Sequence, residues 1–240
     1  MNTINRLSRL IAFDTTSRHS NLALIHDCAD YLESLGLKPW LSHNADQSKA
    51  NLFATIAAAD GNTEGGLILS GHTDVVPTDG QTWQSDPYRA DIREGRLYGR
   101  GSADMKGFIA AVLAAAPAMV QAGLKRPLHI ALSYDEEIGC LGAPVMIAEL
   151  QKRGLTPEHC IVGEPTSMRM VVAHKGIHTF RCAVHGKAAH SSLTPQGVNA
   201  IEYAAKLIVF INELAGRLKA RWIFFAAVAD GQERRPSVRL

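Results

Sequence analysis

Short apolar runs of strand length alternate with stretches of helical spacing along most of this chain, and that alternation is what most restricts its possible folds. Runs at Lys38–Ser42, Asn51–Ala57, Leu67–His72, Leu128–Tyr134 and Cys160–Val162 read as strands. Helices are predicted over Thr3–Ala12, Asn21–Leu35, Phe108–Ala122 and Pro144–Lys152. In the second of these, Leu24, Cys28, Tyr31, Leu32 and Leu35 keep one face, with Ser20 as N-cap and Gly36 as the stop. The small residues of Phe108–Ala122 suit close packing on a sheet, and Pro117 is expected to kink that helix. Trp83–Arg100, with Asp86-Pro87 and Gly95, reads as a loop holding short extended pieces. Such alternation implies an α/β fold with a mixed, largely parallel sheet flanked by helices.

The texture changes near Gly176. Ile177–His185 alternates like an exposed antiparallel strand, Gly186–Ser192 reads as a turn, and Gly197–Leu218 is a long amphipathic helix. Its face carries Ile201, Ala204, Ala205, Ile208 and Ile211. A strand, a turn and a helix bury little alone, so they read as the start of a smaller α+β domain. The expected divisions are residues 1–175, 176–220 and an atypical tail at 221–240.

Bulk properties exclude several classes of partner. The 25 basic and 23 acidic residues leave a net charge of +2, too balanced and too dispersed for a nucleic-acid or membrane surface. Hydrophobic residues make up 46% of the chain, enough for a core, yet no apolar run nears the ~20 residues of a membrane span. The four cysteines, Cys28, Cys140, Cys160 and Cys182, form no CxxC, so reduced thiols and a cytoplasmic location are expected. Cys28 and Cys160 are expected to be small buried hydrophobes. The N-terminus has no signal pattern.

Chemistry gathers where the strands end. Ser70-Gly-His-Thr-Asp-Val-Val-Pro77 places His72 and Asp74 two apart, so in an extended chain they share a face. A metal-binding imidazole usually has its second ring nitrogen held by an acceptor, which His-x-Asp supplies at the shortest spacing. Asp104 lies in the glycine-flanked Gly101-Ser-Ala-Asp-Met-Lys-Gly107 and alone would pass for a helix cap. Asp135-Glu136-Glu137 follows an apolar strand, and Glu164 sits between Gly163 and Pro165 after another. Open α/β sheets bind ligands beyond the carboxyl ends of their strands. Carboxylates converging there with a histidine would repel one another unless one or two divalent cations joined them. Mixed imidazole and carboxylate ligands favour zinc, with cobalt or manganese as alternatives.

These motifs, with Asp-Glu-Glu-Ile-Gly at 135–139 and Gly-Glu-Pro-Thr at 163–166, resemble those of the di-zinc aminoacylase/carboxypeptidase family. The likeness runs from about residue 5 to about residue 219. The forms Leu132–Gly142, Glu164–Arg169 and Ala173–Gly176 are most like those of members that release acetate from N-acetylornithine. Desuccinylation of a related N-acyl amino acid is the neighbouring expectation. The resemblance implies a zinc-peptidase-like fold with a lid domain through which two copies form a homodimer. It also implies that His72 and Glu164 hold one zinc, Glu137 serves a second, and Asp104 bridges both. Asp74 would orient His72, and Glu136 would be the general base that takes a proton from the attacking water. A cis peptide is implied between Asp104 and Met105. His190 matches the lid histidine that stabilises the oxyanion in a partner's site, while His174 and His178 are weaker candidates for the substrate cleft.

Members of that family return from the lid to the catalytic domain and supply a late histidine to the second zinc. This chain is expected to stop inside the lid, with Arg221–Leu240 unlike the family and a frameshift near residue 220 as its origin. Asp104, Glu137 and solvent would then hold the second ion weakly. A non-catalytic remnant is therefore the alternative to a working hydrolase.

Overall fold

The computed structural model describes residues 2–171, 176 and 179–221. The chain divides into two compact units, Met1–Val172 and Ala173–Leu240.

In the first unit, helices α1 (Thr3–Ile11) and α2 (Leu22–Ser34) precede strands β1 (Trp40–His43), β2 (Ala50–Ile56) and β3 (Leu67–His72). A small hairpin, β4 (Asp91–Arg93) with β5 (Arg96–Tyr98), occupies the stretch expected to be a loop with extended pieces. Helix α3 (Lys106–Gln121), β6 (Leu128–Ser133), α4 (Gly142–Lys152) and β7 (His159–Val162) complete the unit. The central sheet has the order β1-β2-β6-β3-β7. β6, β3 and β7 are mutually parallel, and β2 is antiparallel to both β1 and β6. Four of the five strands therefore run one way and β2 runs against them, which makes the sheet mixed but mainly parallel.

Helices cover the sheet because its residues are apolar on both sides. Leu52, Ala54, Leu69, Ile130 and Leu132 pack with the inner residues of α1, α2 and α3, among them Leu10, Leu24, Leu32, Ile109 and Leu113. On the other face Phe53 and Ala131 pack with Met146 and Leu150 of α4. Phe53 also stacks between Trp40 and His129 at centroid distances of 5.0 and 5.3 Å. A fully buried side chain of that size contributes roughly 2–3 kcal/mol by the apolar surface it removes from water. Helix α3 continues through Pro117, and small residues on its inner face, Ala110 and Ala116, let it lie close to the sheet.

Local chemistry moved some boundaries. Ser20 stands one residue before the N-cap position of α2, and its hydroxyl accepts from the Leu22 N–H at 3.2 Å. Asn21, at that position, instead pairs its amide with Ala50 and Thr73. Cys28 is buried as expected, but Cys160 is exposed. It lies on β7, an edge strand whose four residues are all exposed.

In the second unit, Lys187 and Val198 form an isolated antiparallel bridge around a 3₁₀ segment, Ser191–Gln196, followed by α5 (Ala200–Arg221). The strand expected over Ile177–His185 does not form in its described part, residues 179–185. An alternating pattern becomes a strand only when a sheet edge accepts its backbone, and none does so among the described residues. Helix α5 did form, and Ile201, Ile208, Val209 and Phe210 are exposed on it.

Candidate metal centre

Three parallel strands bring the acids together. β3 ends at His72, β6 leads through Tyr134 into Asp135–Glu137, and β7 leads through Gly163 to Glu164. Asp104 arrives from the loop ahead of α3, joined to Met105 by a cis peptide. Met105 is itself buried, and its Sδ receives the His72 N–H at 3.3 Å.

The His72 ring is almost fully enclosed. Its Nδ1 lies 3.0 Å from the Asp74 carbonyl oxygen and 3.5 Å from an Asp74 carboxylate oxygen. Its Nε2 faces Asp104 at 3.0 Å, Glu164 at 3.7 Å and Glu136 at 3.8 Å. One ring nitrogen is thus held by protein and the other is presented to three carboxylates. Two groups of potential ligand atoms result, His72 with Glu136 and Glu164, and His72 with Asp104 and Glu137. Within each group the atoms lie within 4.8 Å of one another. The pairing is informative, since Glu136 and Glu137 are adjacent yet each falls in a different group. The turn after β6 lets both reach the His72 ring, whereas a flat strand would send adjacent side chains to opposite faces.

The carboxylates of the cage act on one another electrostatically. Burial pushes Glu137 and Glu164 upward, and the charges of Asp104 and Glu136 add to it against the pull of His72. Burial alone would lower the His72 imidazole, but the Asp74 hydrogen bond and the charges of Asp74 and Glu164 outweigh it and raise it to about 9. The carboxylates around His72 Nε2 thus favour positive charge beside them. A divalent cation fits that demand and the donor set, one imidazole and four carboxylates.

Asp74 has a second task that the sequence did not suggest. Burial would raise its pKa, yet hydrogen bonds from His72, Ser17 and the Glu136 backbone hold it below its ordinary value. Ser17 Oγ donates to Asp74 Oδ2 at 2.7 Å. The Glu136 and Glu137 N–H groups donate to its two carboxylate oxygens at 3.0 and 3.2 Å. Asp74 thus joins the histidine loop to the turn of the paired glutamates. A cavity of about 250 Å³ is lined by Val76, residues 99–104 and Glu137, so it shares Asp104 and Glu137 with the cage.

His190 belongs to the second unit. It is exposed and caps the Ser191–Gln196 segment, its Nδ1 accepting from the Ser192 N–H at 3.2 Å and lying 2.9 Å from Ser192 Oγ. His174 and His178 lie outside the described residues.

Known proteins match most of this chain. The profile of peptidase family M20/M25/M40 matches residues 68–223. Acetylornithine deacetylase of Proteus mirabilis (strain HI4320) is 40% identical over 212 residues, 88% of this chain and 53% of that protein. The enzyme of the same name from Pasteurella multocida (strain Pm70) is 38% identical over 222 residues, 90% of this chain and 56% of that protein. The chain spans about half the length of the curated relatives it matches. Among solved structures, a tripeptidase from Staphylococcus aureus shares the fold with a TM-score of 0.61 at 20% identity, over 87% of this chain and 55% of that one.

Proposed function

The chain belongs to peptidase family M20/M25/M40, and from that premise we propose that it carries the metal site of a hydrolase that removes acetate from N2-acetyl-L-ornithine. The product would be L-ornithine, in arginine biosynthesis in the cytoplasm. One observation carries the reading: His72 and four carboxylates share a cage built from the same segments that align with acetylornithine deacetylases.

His72 and Glu164 would hold one zinc, Glu137 a second, with Asp104 between them; cobalt would suit the same donors. When bound, the metals polarise the amide carbonyl and lower the pKa of water. Everything else falls to the chain. Asp74 keeps the His72 ring turned so that Nε2 faces the site. Glu136, whose carboxylate faces His72 Nε2 at 3.8 Å, takes a proton from the attacking water and returns it to the leaving amine nitrogen. His190 would stabilise the oxyanion of a neighbouring copy in a homodimer formed through the unit that bears α5. The exposed apolar residues of α5 support such pairing, and sedimentation of the purified chain would report a dimer mass.

The direct test is hydrolysis of N-acetylornithine by the zinc-loaded chain beside Glu136→Gln, with N-succinyl-diaminopimelate as competitor. Turnover is expected for the acetyl substrate, reduced at least ~10²-fold by the substitution, with zinc content unchanged. Preference for the succinyl substrate would reassign the specificity, and no turnover on either would reject the reading.

A further inference from the structure

Outside the carboxylate cage, the buried polar side chains nearest the paired glutamates converge on Lys49. It precedes β2, and its side chain is 12% exposed. Its Nζ lies 2.5 Å from Asp135 Oδ1 and donates to the Ser17 carbonyl, also at 2.5 Å. Asp135, itself 8% exposed, opens the turn that carries Glu136 and Glu137, with φ at +56°. A non-glycine residue holds that left-handed conformation when surrounding contacts over-determine it. Ser17 completes the circuit, since its hydroxyl binds the Asp74 carboxylate that receives the Glu136 and Glu137 N–H groups. Thr16 pairs with Val75 alongside.

The turn is therefore gripped twice. Asp74 holds its backbone through the Glu136 and Glu137 N–H groups, and Lys49 holds its first side chain while binding the Ser17 carbonyl of the segment that orients Asp74. A buried ion pair adds little net stability compared with apolar residues of the same volume. What it supplies here is geometry.

We infer that Lys49 is a positioning residue for the site. By joining Asp135 to the Ser17 segment it sets the divergence of Glu136 toward the reacting water and Glu137 toward the metal. This rests on the hydrolase reading for the role of Glu136, but its effect on metal binding stands apart from turnover.

The test is a double-substitution cycle of Lys49→Met and Asp135→Asn in the 240-residue chain. Zinc affinity is read by competition with a chromogenic chelator, alongside kcat and KM for N-acetylornithine and thermal unfolding. Asp135→Asn keeps the size of the carboxylate and is the variant that decides if Lys49→Met does not fold. Each single substitution is expected to weaken zinc binding about ten- to hundredfold. It should lower kcat similarly while KM stays within about threefold. The double variant should be no worse than the poorer single, because both remove one contact. Zinc affinity and kcat within about twofold of the parent for Asp135→Asn would overturn the inference, as would losses that multiply in the double variant. If the parent chain binds zinc but hydrolyses nothing, the proposed function fails, and the zinc titrations still decide the role of Lys49.

Discussion

A side chain at position 163 would have nowhere to go. A Cβ built on Gly163 would stand 2.0 Å from the Phe108 ring, so the strand can pass α3 there only as glycine. The next residue is Glu164, and its placement depends on that close approach. Gly163→Ala is expected to cost about 1–3 kcal/mol by overpacking, measured from urea unfolding, and to weaken zinc binding by displacing Glu164. The acids were legible as a set, because each follows an apolar run or sits among glycines, while Asp104 alone would pass for a helix cap. Lys49 and Ser17 were not. Lys49 stands 86 positions before its partner Asp135, and no local pattern marks a lysine that will be buried.

Within β6 the instructive residue is His129. Its Nε2 donates to the Gly65 carbonyl at 2.8 Å, which leaves Nδ1 to accept from the Thr55 hydroxyl at 2.9 Å. Burial lowers its pKa below the ordinary 6.5, and the Gly65 hydrogen bond offsets only part of this. The unfolded chain therefore binds the proton more readily. Stability from this group is fully present above about pH 6.5 and is lost as pH falls through the lower folded value. Urea midpoints should fall between pH 7 and pH 5, and His129→Gln should flatten that dependence while lowering the midpoint at pH 7. An unchanged pH dependence in the variant would refute this assignment. Elements with their own periodicity were readable, as β3 and α4 were within a residue or two. Residues 179–185 were not, because an alternating pattern states a preference and a partner strand decides the outcome.

Across the first unit, metal binding and folding are linked. The segments that end at His72, Asp104, Glu136, Glu137 and Glu164 come from widely separated parts of the chain, so the cage exists only when the sheet is assembled. Zinc at 100 times its dissociation constant should then stabilise the fold by about 2.7 kcal/mol. A chelator should lower the unfolding temperature by roughly 5–10 °C, and an unchanged temperature would mean that the folded cage does not retain the ion. The order of the sheet, β1-β2-β6-β3-β7, was not legible beforehand, since strands that read alike along the chain can pair in many orders. By itself the sequence determined the helices and main strands of the first unit, the mixed and mainly parallel sheet, and the residues whose chemistry suits a metal, because periodicity and residue chemistry are local. Only the tertiary structure decided which acid shares a group with which, that Asp74 holds the glutamate turn, and that Lys49 reaches it. Those facts depend on distances between segments far apart in the chain, which packing of the sheet and its helices sets.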